Sequence, residues 1–167
     1  VLRFVNRREN AGFTLVEMLV ALAILSILAS IAAPYAELSL RREREVELKR
    51  ALREVRTAID RFRDEHKAGV FPATAEGVSE DGYPKSLSVL VEGVRLANAA
   101  GDKRRVFLRR IPRDPFYPDA SVPTAEQWAL RGYQDAAEAP TWGGKDVYDV
   151  RSKSEKVALD GSAYRSW

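Results

Sequence analysis

Residues 13–33 form a run of twenty-one in which Glu17 is the only charged side chain. At 1.5 Å per residue, a helix of that length covers a hydrocarbon core of about 30 Å. The run therefore predicts a transmembrane helix and leaves room for about one further domain. Residues 1–12 carry Arg3, Arg7 and Arg8 against Glu9, a short basic leader ahead of the span. A cleaved secretory signal has an apolar region of about 7–15 residues and no carboxylate early in it. Ser30, Ile31 and Ala32 do match a small-x-small cleavage pattern, so cleavage there stands as an alternative.

The rest of the composition narrows the chemistry. With no cysteine, disulfides, thiolate metal sites and thiol nucleophiles are excluded. The single histidine, His66, leaves no cluster for zinc or for Ser/His catalysis. Nothing in the sequence arranges a nucleophile, a base and an orienting group, so an enzyme is not expected.

Pro34 lacks an N–H and crowds the carbonyl of Ser30, which predicts a kink at the outer end of the apolar run. Beyond it, Leu48, Leu52, Val55, Ile59 and Phe62 recur at spacings of four, three, four and three. That is one apolar stripe on a helix whose back is charged, with pairs such as Glu45 and Lys49 in the favourable order. One helix is predicted from Phe13 to about His66, ended by Gly69 and Pro72. Residues 68–82 read as a loop, and Pro84 as the first turn of a short helix with Leu87, Leu90, Val91 and Val94 on its apolar face. Residues 106–111 read as an edge strand; 128–133, 147–151 and the stretch ending at Trp167 read as further strands. The fold class expected is α+β, a long helix packed on a small antiparallel sheet. The divisions are 1–12 as leader, 13–34 as transmembrane half-helix, 35–67 as amphipathic half-helix, and 68–167 as a globular region packing on 35–67.

Gly12, Phe13, Thr14, Leu15, Val16 and Glu17, followed by apolar residues to Pro34, resemble the N-terminal signal of type IV pilins and type II secretion pseudopilins. The resemblance implies a pilin-like fold, cleavage by a prepilin peptidase between Gly12 and Phe13, and methylation of the new amine on Phe13. A carboxylate in a bilayer helix costs roughly 2.5–3.5 kcal/mol and calls for a partner. Cleavage before Phe13 creates an amine four residues from Glu17, and the resemblance implies that Glu17 meets the amine of a neighbouring subunit, an assembly salt bridge that sets register. Pairing with its own amine and a place at the headgroups are the competing readings. Five basic residues, Arg41, Arg42, Arg44, Lys49 and Arg50, follow the span, so charge counting does not favour a cytoplasmic leader. The leader is still placed inside, because long domains translocate largely regardless of charge and the family peptidase works from the cytoplasmic side.

Several C-terminal features are most similar to the major pseudopilin (protein G type) of type II secretion systems. They are residues 71–78 after the long helix, the proline-rich turn 111–116, and the ending with residues 146–152, Leu159, Asp160, Gly161 and Trp167. Many type IV pilins close this region with a disulfide, whereas major pseudopilins can use calcium. Asp146, Asp149 and Asp160 are hard-oxygen candidates for calcium; the other reading is exposed turn and strand aspartates, since the glycine-rich acidic loop of the calcium-binding members is missing. No other cofactor is implied. Trp128, Tyr133, Trp142, Tyr148 and Trp167 suit sheet packing better than a ligand platform. Lys103, Arg104, Arg105, Arg109, Arg110 and Arg113 are a basic cluster without interleaved aromatics, which favours a solvated or subunit-contacting face over nucleic acid.

The function implied is mechanical: a single-pass bacterial inner-membrane protein, its C-terminal region periplasmic, extracted into a pseudopilus that drives folded proteins across the outer membrane. The partners implied are identical subunits in a homopolymer, minor pseudopilins, the inner-membrane assembly platform and the prepilin peptidase, with nucleic acid not expected. The alternatives are a type IV pilus subunit for adhesion, motility or DNA uptake, and a membrane-anchored binding protein that never polymerises.

Overall fold

The computed structural model describes residues 12–97, 103–139 and 141–167, with the side chains of residues 31–33 outside the description. The leader therefore lies outside the described residues except for Gly12. The chain forms two compact units, a first ending at Arg41 and a second spanning Arg42–Trp167.

The first unit is helical from Leu15 onward, the start of α1 (Leu15–Lys67). Thr14 is its cap: the Thr14 Oγ1 accepts the Glu17 N–H at 3.2 Å, and the Thr14 carbonyl accepts the Met18 N–H at 3.1 Å. Glu17 in the first turn also complements the positive end of the helix dipole. Within the span, Ser26 and Ser30 donate their hydroxyls to the carbonyls of Ala23 and Ser26, both at 2.8 Å. Their polar atoms are thereby satisfied inside the helix, as a lipid environment requires. Pro34 lies inside α1 and removes the main-chain donor that would meet the Ser30 carbonyl, yet the helix continues through it. An 18-residue window of α1 has mean hydropathy 2.5 with no residue buried inside the fold, long and apolar enough to cross a membrane.

In the second unit the expected stripe becomes the keel of the core. Leu48, Leu52, Val55, Ile59 and Phe62 are all buried, joined by Ala51 and Ala58 where larger side chains would hold the globular region away. Each buried large apolar side chain contributes about 1.5–3 kcal/mol relative to exposure. The helix ends at Gly69 (φ 71°): Val70 N–H donates to the Glu65 carbonyl at 3.0 Å and Gly69 N–H to the His66 carbonyl at 2.9 Å. These paired reverse bonds need the left-handed conformation that glycine adopts without penalty.

After α1 come α2 (Leu87–Glu92), β1 (Val94–Arg95), β2 (Arg104–Arg105), β3 (Trp128–Arg131) and β4 (Asp149–Ser152), with single 3-10 turns at Thr124–Glu126 and Tyr164–Ser166. The sheet is two separate antiparallel ladders, β1 with β2 and β3 with β4, the second in register Trp128 to Ser152 and Leu130 to Val150. The α+β, pilin-like class holds, while several boundaries differ. Pro84 forms a bridge with Val78 and precedes α2, whose buried face is Leu87 and Leu90. Residues 106–111 are not a strand: Phe107 and Leu108 both donate their N–H groups to the Leu90 carbonyl at 2.9 Å, which turns the chain and seats Leu108 in the core. The strand expected over 128–133 stops at Arg131 because Asp135 and Asp146 side chains capture the next two N–H groups, of Gly132 and Tyr133. The stretch ending at Trp167 contains only the bridge between Val157 and Ala163 before its 3-10 turn.

Candidate processing and assembly site

Gly12, Phe13 and Thr14 stand before the first turn of α1, so the Gly12–Phe13 peptide bond is not locked into helical hydrogen bonding. Phe13 is 74% exposed, and a Cβ placed on Gly12 would meet nothing within 4 Å. A peptidase can reach such a junction without unwinding the helix, and the Thr14 cap defends the helix boundary at that point. Sequence reasoning missed that cap, although Thr14 and Glu17 have the spacing of a capping box. Glu17 is exposed and makes no ion pair among the described residues. In a hydrocarbon environment a carboxylate at this depth is costly without a partner.

The three candidate aspartates are held in different ways. Asp146 is only 2% exposed; its carboxylate accepts the Tyr133 N–H at 2.8 Å, and its carbonyl accepts the Trp142 indole N–H at 2.6 Å. Asp149 accepts the Arg56 Nε at 2.7 Å and the Arg131 Nη2 at 3.4 Å. Asp160 accepts the hydroxyl and the N–H of Ser162, at 2.6 and 2.9 Å, which hold its carboxyl below the usual carboxylate range. Among the described residues no three His, Cys, Asp or Glu side chains converge on a metal position. As they stand, the three aspartates do not fit the six to eight oxygens that calcium takes.

The basic cluster also divides. Arg105 forms a two-pronged ion pair with Glu65 at 2.5 and 2.7 Å, Arg104 turns to the carbonyls of Glu92 and Gly93, and Arg113 to that of Tyr117. Arg109 and Arg110 instead line an open cavity with Arg50, Arg53 and Arg61, three residues on one side of the charged back of α1. Of the aromatic residues Trp128, Tyr133, Trp142, Tyr148 and Trp167, only Trp128 lies in a strand, buried with its indole N–H on the Pro112 carbonyl at 3.0 Å; Tyr133 and Tyr148 lie just outside the ladders, exposed, and cluster with Tyr83 at 5.2–5.6 Å. Trp167 lies edge-on to buried Tyr164, with the Lys49 ammonium 4.2 Å from its ring. Two further residues escaped sequence reading. Arg56 ties Asp149 to the main-chain oxygens of Val150 and Trp167, and Asp114, fully buried in the proline-rich turn, accepts the Ser152 hydroxyl at 2.6 Å and the Phe116 N–H at 2.8 Å.

A capped helix long and apolar enough to cross a membrane, preceded by an exposed Gly-Phe junction and continued into an α+β unit, defines a pilin-like class of fold. Residues 7–33 match the prokaryotic N-terminal methylation motif, a prepilin-type signal. The chain matches no curated protein and no solved structure.

Proposed function

We propose that this chain is the structural subunit of a type II secretion pseudopilus. A prepilin peptidase removes residues 1–12, the amine of Phe13 is methylated, and the mature subunits leave the inner membrane to polymerise in the periplasm. The observation that carries the proposal is the exposed Gly12–Phe13 junction directly before a capped helix, with Glu17 in its first turn making no ion pair among the described residues. The apolar half of α1 is solvated by lipid before assembly and by neighbouring subunits afterwards. Glu17 then pairs with the methylated amine of a neighbour, which neutralises both charges and sets the axial register. The role involves no catalysis; identical subunits, minor pseudopilins, an assembly platform and the peptidase are its partners. The C-terminal likeness to major pseudopilins and the lack of cysteine support secretion over a surface pilus.

Two measurements test this. Glu17→Ala is expected to insert in the membrane at the wild-type level and to lose filament assembly; normal assembly refutes the register role. Deletion of the gene is expected to leave folded exoproteins in the periplasm. Intact secretion with lost motility or DNA uptake assigns the subunit to a type IV pilus instead.

A further inference from the structure

The arginine-lined cavity has no part in cleavage, methylation or the Glu17 contact. It is open, about 910 Å³ in volume, and collects Arg50, Arg53 and Arg61 from α1 with Arg109 and Arg110 from the segment after β2, against the single carboxylate of Glu54. All five arginines are exposed, and none of their side chains makes an ion pair or hydrogen bond among the described residues. Five guanidinium groups gathered around one carboxylate repel one another, and a partner bearing carboxylates relieves that repulsion.

The same unit carries such carboxylates on the other flank of α1. Two residues advance a helix by about 200°, so Arg63 lies opposite Arg61. Arg63 and His66 both border Gly82, which places the loop of residues 79–83 on that flank. Glu80 is exposed there without an ion pair among the described residues, and Asp81 accepts only the Gln134 side-chain amide, at 3.0 Å. That bond ties the loop to the segment 134–138, whose Glu138 is also exposed and unpaired among the described residues.

We propose that the arginine groove binds the acidic surface of residues 80–81 and 134–138 on a second copy of this chain, a contact that rests on the polymerising role above. Opposite charges on opposite flanks make a head-to-tail contact, which propagates into an open filament; a twofold dimer through the groove would set arginine against arginine. Glu54 in this cavity, and Glu47 beside Arg50 and Arg110 in the adjoining one, disfavour a continuous polyphosphate and suit discrete carboxylates.

The test uses the full chain in its own host with its assembly machinery. R109E/R110E and E80R/E138R, all four at exposed positions whose side chains have no partner among the described residues, are each expected to keep the wild-type unfolding temperature in detergent within about 2 °C, and to lower the assembled fraction at least about tenfold. Produced together they are expected to restore filaments in which the two variants alternate, because each reversed groove then meets a reversed acidic surface. Wild-type assembly by R109E/R110E, or failure of the folded pair to restore filaments, overturns the proposal. Loss of salt-dependent DNA retention by R109E/R110E without any such restoration assigns the groove to a polyanion and likewise overturns it. Failure of the wild-type chain to form filaments overturns the polymerising role itself, and this contact with it.

Discussion

Replacing Arg56 by methionine removes a charged hub while keeping an apolar stem of similar reach. Its guanidinium donates to Asp149 at 2.7 Å, to the Val150 carbonyl at 3.0 Å and to the main-chain oxygen of Trp167 at 2.8 Å, so it clamps β4 and the final turn onto α1. Hydrogen bonds to a charged group contribute about 1.5–3 kcal/mol each when desolvated. The Arg56 side chain is 37% exposed and Asp149 20%, so water replaces part of each bond, and Arg131 at 3.4 Å still covers Asp149. Discounting for that screening leaves about 2–3 kcal/mol in all. For a folded unit of this size the loss lowers the unfolding temperature by roughly 10 °C. Circular dichroism melts of the full chain in detergent measure it, with Arg53→Met, an exposed arginine with no partner among the described residues, as the control expected within about 0.5 kcal/mol of wild type. A shift under about 2 °C for Arg56→Met, or an equal shift for Arg53→Met, would refute the clamp.

Three other outcomes are expected. Gly93 sits at φ 76° and ψ 166°, a region closed to L side chains, and a Cβ there would lie 2.7 Å from the Arg105 carbonyl oxygen. Gly93→Ala should therefore cost about 3 kcal/mol in denaturant melts, against about 1–2 kcal/mol for Gly69→Ala, where nothing lies within 4 Å and only the backbone strain remains. Burial and the neighbouring Arg63 lower the pKa of His66 below its ordinary 6.5. On acidification the unfolded chain then takes up a proton before the folded one does, so stability is greatest above about 6.5 and declines as pH falls toward the folded value; melts at about pH 7.5 and pH 5.5 should differ more for wild type than for His66→Gln. Calcium and chelator should leave the unfolding temperature equal within about 1 °C, because Asp146, Asp149 and Asp160 have protein partners and do not converge; a calcium-dependent rise of several degrees would show that those partners yield to the ion.

Much of the fold was legible because helical periodicity is local. The stripe from Leu48 to Phe62 predicted the buried face residue by residue, and Gly69 marked the end of α1. The strands were harder to read because long-range side chains set their limits. Asp135 and Asp146 capture the N–H groups that would extend β3, and no window of sequence around Trp128 contains Asp146. Likewise the basic residues 103–113 look like one cluster in sequence, yet Glu65, forty positions earlier, takes Arg105 away, while Arg50, Arg53 and Arg61 join Arg109 and Arg110 only once α1 packs beside them. The junction at Gly12 and Phe13 was readable from its motif alone; the Thr14 cap that places it outside the helix was visible in the spacing of Thr14 and Glu17 and was overlooked.

The most direct test of the account is the mass of the N-terminal peptide from the protein isolated from its membrane. The predicted result is a mature chain that begins at Phe13 with a methylated amine, and retention of the full leader when the prepilin peptidase is deleted. A chain beginning after Ala32, or one that keeps residues 1–12 beside an active peptidase, would contradict it.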